Sequence, residues 1–173
     1  MLQKQNNDVK DFGGAVMRIP QWIKESNLIE GVFSSLEDRR SYMAWLWLKK
    51  QETVTLDVLL KLHKKIMRVH LGKEAGHLRV CNVRVGNRTC PHYENVPGLV
   101  SDWLSHDLKK KSFDDILEYN IKQSHIRFEK IHPFIDGNGR TGRMIMNWQR
   151  VKNGLEPLCI RLAEVFEYYE WFE

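Results

Sequence analysis

The chain has 173 residues, 42% of them hydrophobic and six of them Trp, enough for one domain with a sizeable core. Its 27 basic and 22 acidic side chains leave a net charge of +5. No apolar stretch reaches the roughly 18 residues of a membrane span, and none follows Met1 as a leader, so neither a membrane protein nor a secreted precursor is expected. The cysteines, Cys81, Cys90 and Cys159, are odd in number and lack metal-type pairing, which points to a reduced, cytoplasmic setting.

Residues 1–19 read as an N-terminal extension and 20–173 as one domain. Pro20 begins a short helical segment, to about residue 31, that carries Trp22, Ile23 and Leu28 and sets Ser26 and Glu30 on one face. Ser34 and Glu37 suit a capping box for a helix to about Lys50, with the apolar stretch Met43–Leu48 expected deep in the core. Thr55 caps a helix whose inward residues are Leu59, Leu62, Ile66 and Val69. The period then drops to two: Cys81, Val83 and Val85 alternate with Asn82 and Arg84. With a turn at Gly86-Asn87 and a returning strand over Tyr93–Val96, this predicts a β-hairpin in an otherwise helical domain. Its edge is suited to take an extended partner segment by strand addition.

Pro97 suits the first turn of the next helix, with Leu99, Val100, Trp103 and Leu104 inward. Ser112 is placed to cap a long helix with Phe113, Ile116, Leu117, Ile121 and Phe128 on its apolar face. A further helix is predicted from about Gly139 to Asn153, stopping at Gly154. A closing helix over Leu162–Phe172 is expected to bury Val165, Phe166, Tyr169 and Trp171. Basic runs at Lys61–Arg68 and Lys109–Lys111 lack interleaved aromatics, so they read as solvated helix faces and no nucleic-acid partner is expected. His125 reads as a core or capping residue, while His63, His70, His77, His92 and His106 default to the surface or loops.

The most informative run is His-Pro-Phe-Ile-Asp-Gly-Asn-Gly-Arg-Thr-Gly-Arg at 132–143. His132 is a proton acceptor near neutral pH, and Pro133 biases it toward an extended backbone. Phe134 is an apolar anchor for the loop, and Asp136 is a hard oxygen ligand of the kind Mg²⁺ prefers. Gly137, Asn138 and Gly139 can present successive amides as an anion nest, which a helix N-terminus reinforces. Arg140 and Arg143 share a helix face, and guanidinium forks match phosphate oxygens. A base, a metal-type carboxylate, a nest and two arginines at fixed spacing suit a nucleotide triphosphate better than a plain inter-helix loop. Asn147 continues the Arg140–Arg143 face without being required by it.

This run resembles the HPFx(D/E)GNGRxxR signature of Fic domain proteins, matched at every fixed position. The resemblance implies a mainly α Fic fold, a helical bundle with a β-hairpin flap beside the active-site loop. It implies transfer of AMP from ATP to a hydroxyl side chain of a target protein. His132 would then deprotonate that hydroxyl and Asp136 would hold Mg²⁺. Gly137, Asn138, Gly139, Arg140 and Arg143 would hold the phosphates. The flap residues Cys81, Asn82, Val83, Arg84 and Val85 would align the target. The segment Ser26-Asn27-Leu28-Ile29-Glu30-Gly31 fits (S/T)xxxE(G/N), the inhibitory motif of such proteins. Glu30 would pair with Arg143 and occupy the γ-phosphate position, with Ser26 and Gly31 completing the motif. Self-modification and a homo-oligomer are both compatible with the resemblance. Removal of AMP at the same site, a Doc-type kinase, and a non-enzymatic binding module remain open alternatives. Glycine at both 137 and 139 favours AMP transfer over the kinase.

Overall fold

The computed structural model of the chain describes residues 9–10, 16–108 and 114–173. Two short strands, β1 (Val9–Lys10) and β2 (Val16–Met17), pair antiparallel ahead of the helical body. Ile19 packs against the core, and the rest of the extension expected over residues 1–19 lies mostly outside the described residues, as do Ser112, the expected cap, and Phe113. Among the described residues no helix is long and apolar enough to cross a membrane.

The first helix, α1 (Gln21–Ile29), follows Pro20 and gives way at Gly31, whose φ of +70° ends it. Trp22 and Ile23 are buried and anchor it, and the Trp22 ring meets that of Trp45 edge-on at 4.9 Å. Asn27 adds polar ties to the next helix, α2 (Ser35–Leu48): its amide donates to Asp38 Oδ1 at 2.7 Å and accepts from Ser41 Oγ at 3.2 Å.

Ser34 Oγ accepts from the Glu37 amide, so half of the expected capping box forms. The Glu37 carboxylate instead pairs with Arg40 and lies 3.2 Å from His70 Nε2 on α3 (Leu56–Leu71), whose N-cap Thr55 accepts from the Val58 amide at 3.3 Å. Three burial expectations are corrected, each because a helix buries a stripe and not a run. Met43 is half exposed beside buried Ala44, Trp45 and Leu48. Val69 falls off the Leu59, Leu62, Ile66 stripe and is exposed. Ile116 is exposed where its neighbour Leu117 turns inward with Ile121.

The hairpin is shorter than expected. Strand β3 (Arg84–Val85) pairs with β4 (Arg88–Thr89), with Val85 opposite Arg88 and Arg84 opposite Thr89. The expected return strand at Tyr93–Val96 is corrected: Tyr93–Asn95 form a 3₁₀ turn leading into α4 (Val96–Asp102). A two-residue turn at Gly86-Asn87 requires pairing to resume at once, which places the return at Arg88. Helix α5 (Asp114–Ile131) packs along α6 (Asn138–Lys152), and the twelve-residue run fills the corner between them.

At the C-terminus, α7 (Val165–Tyr169) is flanked by 3₁₀ turns. The residue it buries is Tyr168, 3% exposed, while Phe166 and Tyr169 face outward, contrary to expectation. Val165, Tyr168 and Phe172 lie at helical spacing and pack with Ile29, Leu117, Ile121, Met146 and Ile160 in a second apolar cluster.

Candidate active site

Helix α5 ends where His132, with φ of +50°, enters the left-handed region. That conformation costs a non-glycine residue about 1–3 kcal/mol and persists only where the surroundings enforce it. Arg79 enforces it: Nε donates to the His132 carbonyl at 2.8 Å, Nη2 to Ile131 and Pro91, and Nη1 to Cys81, while the Arg79 amide donates to the Pro133 carbonyl. Arg88 on β4 adds donations to the Glu129 and Lys130 carbonyls, so both arginines tie the hairpin base to the end of α5. No motif in the sequence marks Arg79; its role in the fold is this clamp.

Beyond Pro133 the chain is fixed from beneath. Phe134 is fully buried and stacks on His63 at 3.7 Å. The Gly76 amide donates to His63 Nδ1, which leaves the ring proton on Nε2 to be donated to the Asp136 carbonyl at 2.9 Å. His63 is therefore no surface residue. It occupies the apolar face of α3 at the spacing Leu59, Leu62, His63, Ile66, and this was the available signal.

Asn138 closes the loop on itself, its Oδ1 accepting from the Phe134 amide and its Nδ2 donating to the Phe134 carbonyl, both at 2.9 Å. Asn138 is 2% exposed and engaged at both ends by Phe134, so in this state its side chain shapes the loop that presents the nest. Gly137 caps α6 with φ of +76°, and a Cβ there would strike Met67. A Cβ on Gly139 would strike Glu30 Oε1 and come within 2.9 Å of Arg143 Nη1.

The two guanidiniums differ in state. Arg140 is 5% exposed, with Nη2 on Met67 Sδ and with Nε and Nη1 lacking any partner. Burial lowers its affinity for the proton, which is the expected condition of a buried cation awaiting an anion. Arg143 is satisfied: Nε donates to Ser26 Oγ at 2.9 Å, Nη2 to Ser26 O at 3.0 Å and to Glu30 Oε1 at 2.6 Å, and Nη1 to Tyr168 Oη at 3.3 Å. Burial alone works against its charge, but the Tyr168 hydroxyl and the Glu30 carboxylate outweigh it and hold Arg143 above its ordinary value. The Glu30 side chain keeps 30% of its surface open to solvent.

Thus His132, Asp136, the nest, both arginines, Ser26 and Glu30 gather at one corner. The Asp136 carboxylate faces solvent, with Oδ1 accepting from the Gly137 amide at 2.6 Å. Of the flap residues, only Arg84 and Val85 are in strand; Cys81, Asn82 and Val83 lead up to it, and the Asn82 side chain accepts from the Tyr93 amide. Asn147 points away from the corner and pairs with both backbone groups of Leu158.

Burial holds three rings neutral: His63 and His132 are lowered to about 4 and His125 to about 3. In the unfolded chain these rings take up protons first as pH falls, so their stabilisation is lost below about pH 6.5. Glu129, pushed up to about 7 by burial, works oppositely and gains stability on acidification. Three rings against one carboxyl leave a net loss, so the melting temperature should fall by about 10 °C between pH 7 and pH 5. Calorimetry across that range checks this; a flat or rising profile would contradict the neutral, buried state of the rings.

Comparison with known proteins gives a consistent picture. A family model described as Fic/DOC family matches residues 53–149. The protein adenylyltransferase Fic of Nematostella vectensis is 30% identical over 139 residues, covering 79% of this chain and 32% of that protein. The protein adenylyltransferase fic-1 of Caenorhabditis elegans is 31% identical over 151 residues, 85% of this chain and 28% of that protein. The chain therefore spans about a third or less of the length of these curated relatives. A structure of C. elegans Fic-1, residues 134–508, superposes with a TM-score of 0.74 at 22% identity, covering 86% of this chain and 52% of that one.

Proposed function

Because this chain belongs to the Fic/DOC family, we propose that it transfers AMP from Mg-ATP to a hydroxyl side chain of a target protein and is restrained by its own Glu30. The observation that carries the reading is Arg140, a buried guanidinium with two unpartnered nitrogens beside a helix N-terminal nest. An anion with several oxygens completes such a site. In the reaction the target oxygen attacks the α-phosphorus and its proton passes to the His132 imidazole. The bond to the bridging oxygen breaks and pyrophosphate leaves. Burial keeps His132 unprotonated at neutral pH, so its lone pair is available.

The remaining residues position and neutralise. Asp136 is the residue that would hold Mg²⁺, since one solvent-facing carboxylate completed by substrate phosphates and waters is the usual protein share for this ion. When bound, the ion neutralises phosphate charge. The amides of 137–139 and Arg140 take phosphate oxygens, and Arg143 takes the terminal phosphate once Glu30 withdraws. The hairpin, clamped to the His132 carbonyl through Arg79, presents the target segment beside the imidazole. The similarity to proteins named adenylyltransferases supports this reading.

Parallel incubations of the Glu30→Gly variant with α-labelled and γ-labelled ATP test it. Label in protein from the α position only is the expected result, on an added lysate or on the chain itself. Label from the γ position only would make the chain a kinase, and label from neither would remove the proposal.

A further inference from the structure

The Arg143 guanidinium is held from two sides. Every hydrogen bond from α1 and its C-cap falls on Nε and Nη2, through Ser26 and Glu30. Among the described residues, the only hydrogen-bond partner besides Ser26 and Glu30 is Tyr168, which receives Nη1 on its hydroxyl and lies under the guanidinium carbon at 5.5 Å from its ring centre. The hydroxyl is itself directed. Arginine can only donate, so the phenol oxygen accepts from Nη1 and its own hydrogen goes to His125 Nε2 at 2.9 Å. His125 is buried on α5, one turn before Glu129 and behind Gly142, so the chain Arg143, Tyr168, His125 ends in a rigid helix.

The open end of the fork, Nη1 with Nη2, is the edge turned toward Gly139, where Glu30 Oε1 now sits. We infer that Tyr168 is a positioning residue for Arg143, fixing Nη1 from the C-terminal side as Ser26 fixes Nε and Nη2 from α1, so that the fork stays aimed at the terminal phosphate when Glu30 withdraws. The inference rests on the nucleotide reading above. It also gives the closing segment a task beyond packing. The same segment steadies α1, since the Leu162 amide donates to Glu25 Oε2 at 2.8 Å and Ile29 packs into the cluster around Tyr168.

The test compares Mg-ATP with Mg-ADP binding by calorimetry in Glu30→Gly and in Glu30→Gly with Tyr168→Phe. Phenylalanine keeps the ring and removes the one oxygen that orients Nη1. The expected result is an approximately tenfold loss of ATP affinity, the scale of a hydrogen bond to a charged group, with ADP affinity unchanged because ADP lacks the terminal phosphate. Equal losses for both nucleotides, or none for either, would overturn the inference and leave the site reading standing. If Glu30→Gly itself binds neither nucleotide, the site reading fails and this inference fails with it. A melting curve of the double variant in the absence of nucleotide verifies that it is folded, so that a change confined to ATP is read as positioning.

Discussion

Replacing Glu30 with Gly is expected to raise AMP transfer about 100-fold over the parent chain, the factor that about 2.7 kcal/mol represents. The physical basis is competition for one fork. Glu30 Oε1 sits 2.6 Å from Arg143 Nη2 and against Gly139, where a terminal phosphate oxygen would lie. A charge-assisted hydrogen bond to a buried partner contributes about 1.5–3 kcal/mol, which any competing phosphate must first offset. The same substitution leaves Arg143 with Ser26 and Tyr168 but without its carboxylate, so the nucleotide-free variant should melt several degrees lower. Added Mg-ATP should restore that loss by binding the native state. Incorporation of α-label and melting curves with and without Mg-ATP measure both sides. A variant no faster than the parent would mean that the Glu30–Arg143 pair is structural only. Glu30→Gln separates charge from bulk, and its rate should fall between the two.

The His132→Ala variant should lose at least about a thousandfold in transfer, within the range of a positioned general base. Its Mg-ATP affinity, measured in the Glu30→Gly background, should stay within about threefold, because no phosphate-holding group is touched. Substitution by Gly should be equally inactive yet more stable than Ala by about 1 kcal/mol, since at φ of +50° glycine escapes the penalty that alanine retains. A His132→Ala variant that transferred AMP at the parent rate would remove this imidazole from the reaction. An alanine variant as stable as the glycine one would mean that the left-handed backbone at 132 carries no strain.

Much of this architecture is legible in the residues because local rules decide it. Ser34 and Thr55 cap where a polar side chain precedes a helical stripe, and Gly154 stops α6 where only glycine is at ease. The twelve-residue run is equally readable, since its chemistry sits at fixed spacing and needs no tertiary partner to be recognised. What the chain pattern concealed lies in contacts distant in sequence. His63 reaches Asp136 across 73 positions, Tyr168 reaches Arg143 across 25, and Arg79 reaches His132 across 53. The pairing of the Asn138 side chain with both backbone groups of Phe134, four residues earlier, is likewise set by how the loop closes. The hairpin returns at Arg88 and not at residues 93–96, because the two-residue length of the turn dictates where pairing resumes.

The attachment of α1 bears on how the proposed restraint would yield. Trp22 and Ile23 sit in the core and Asn27 is bonded to α2, so the helix is bolted in place, while Glu30 stands just past its last residue with nearly a third of its side chain in water. Under the proposed restraint, withdrawal would need only a rotamer change with no helix to unfold, a motion on the timescale of side chains. Such a device has no fixed on and off positions. On the proposed reading it would act as a throttle, with triphosphate competing against a tethered carboxylate. Transfer by the parent chain should then keep rising at nucleotide concentrations that already saturate the chain lacking Glu30.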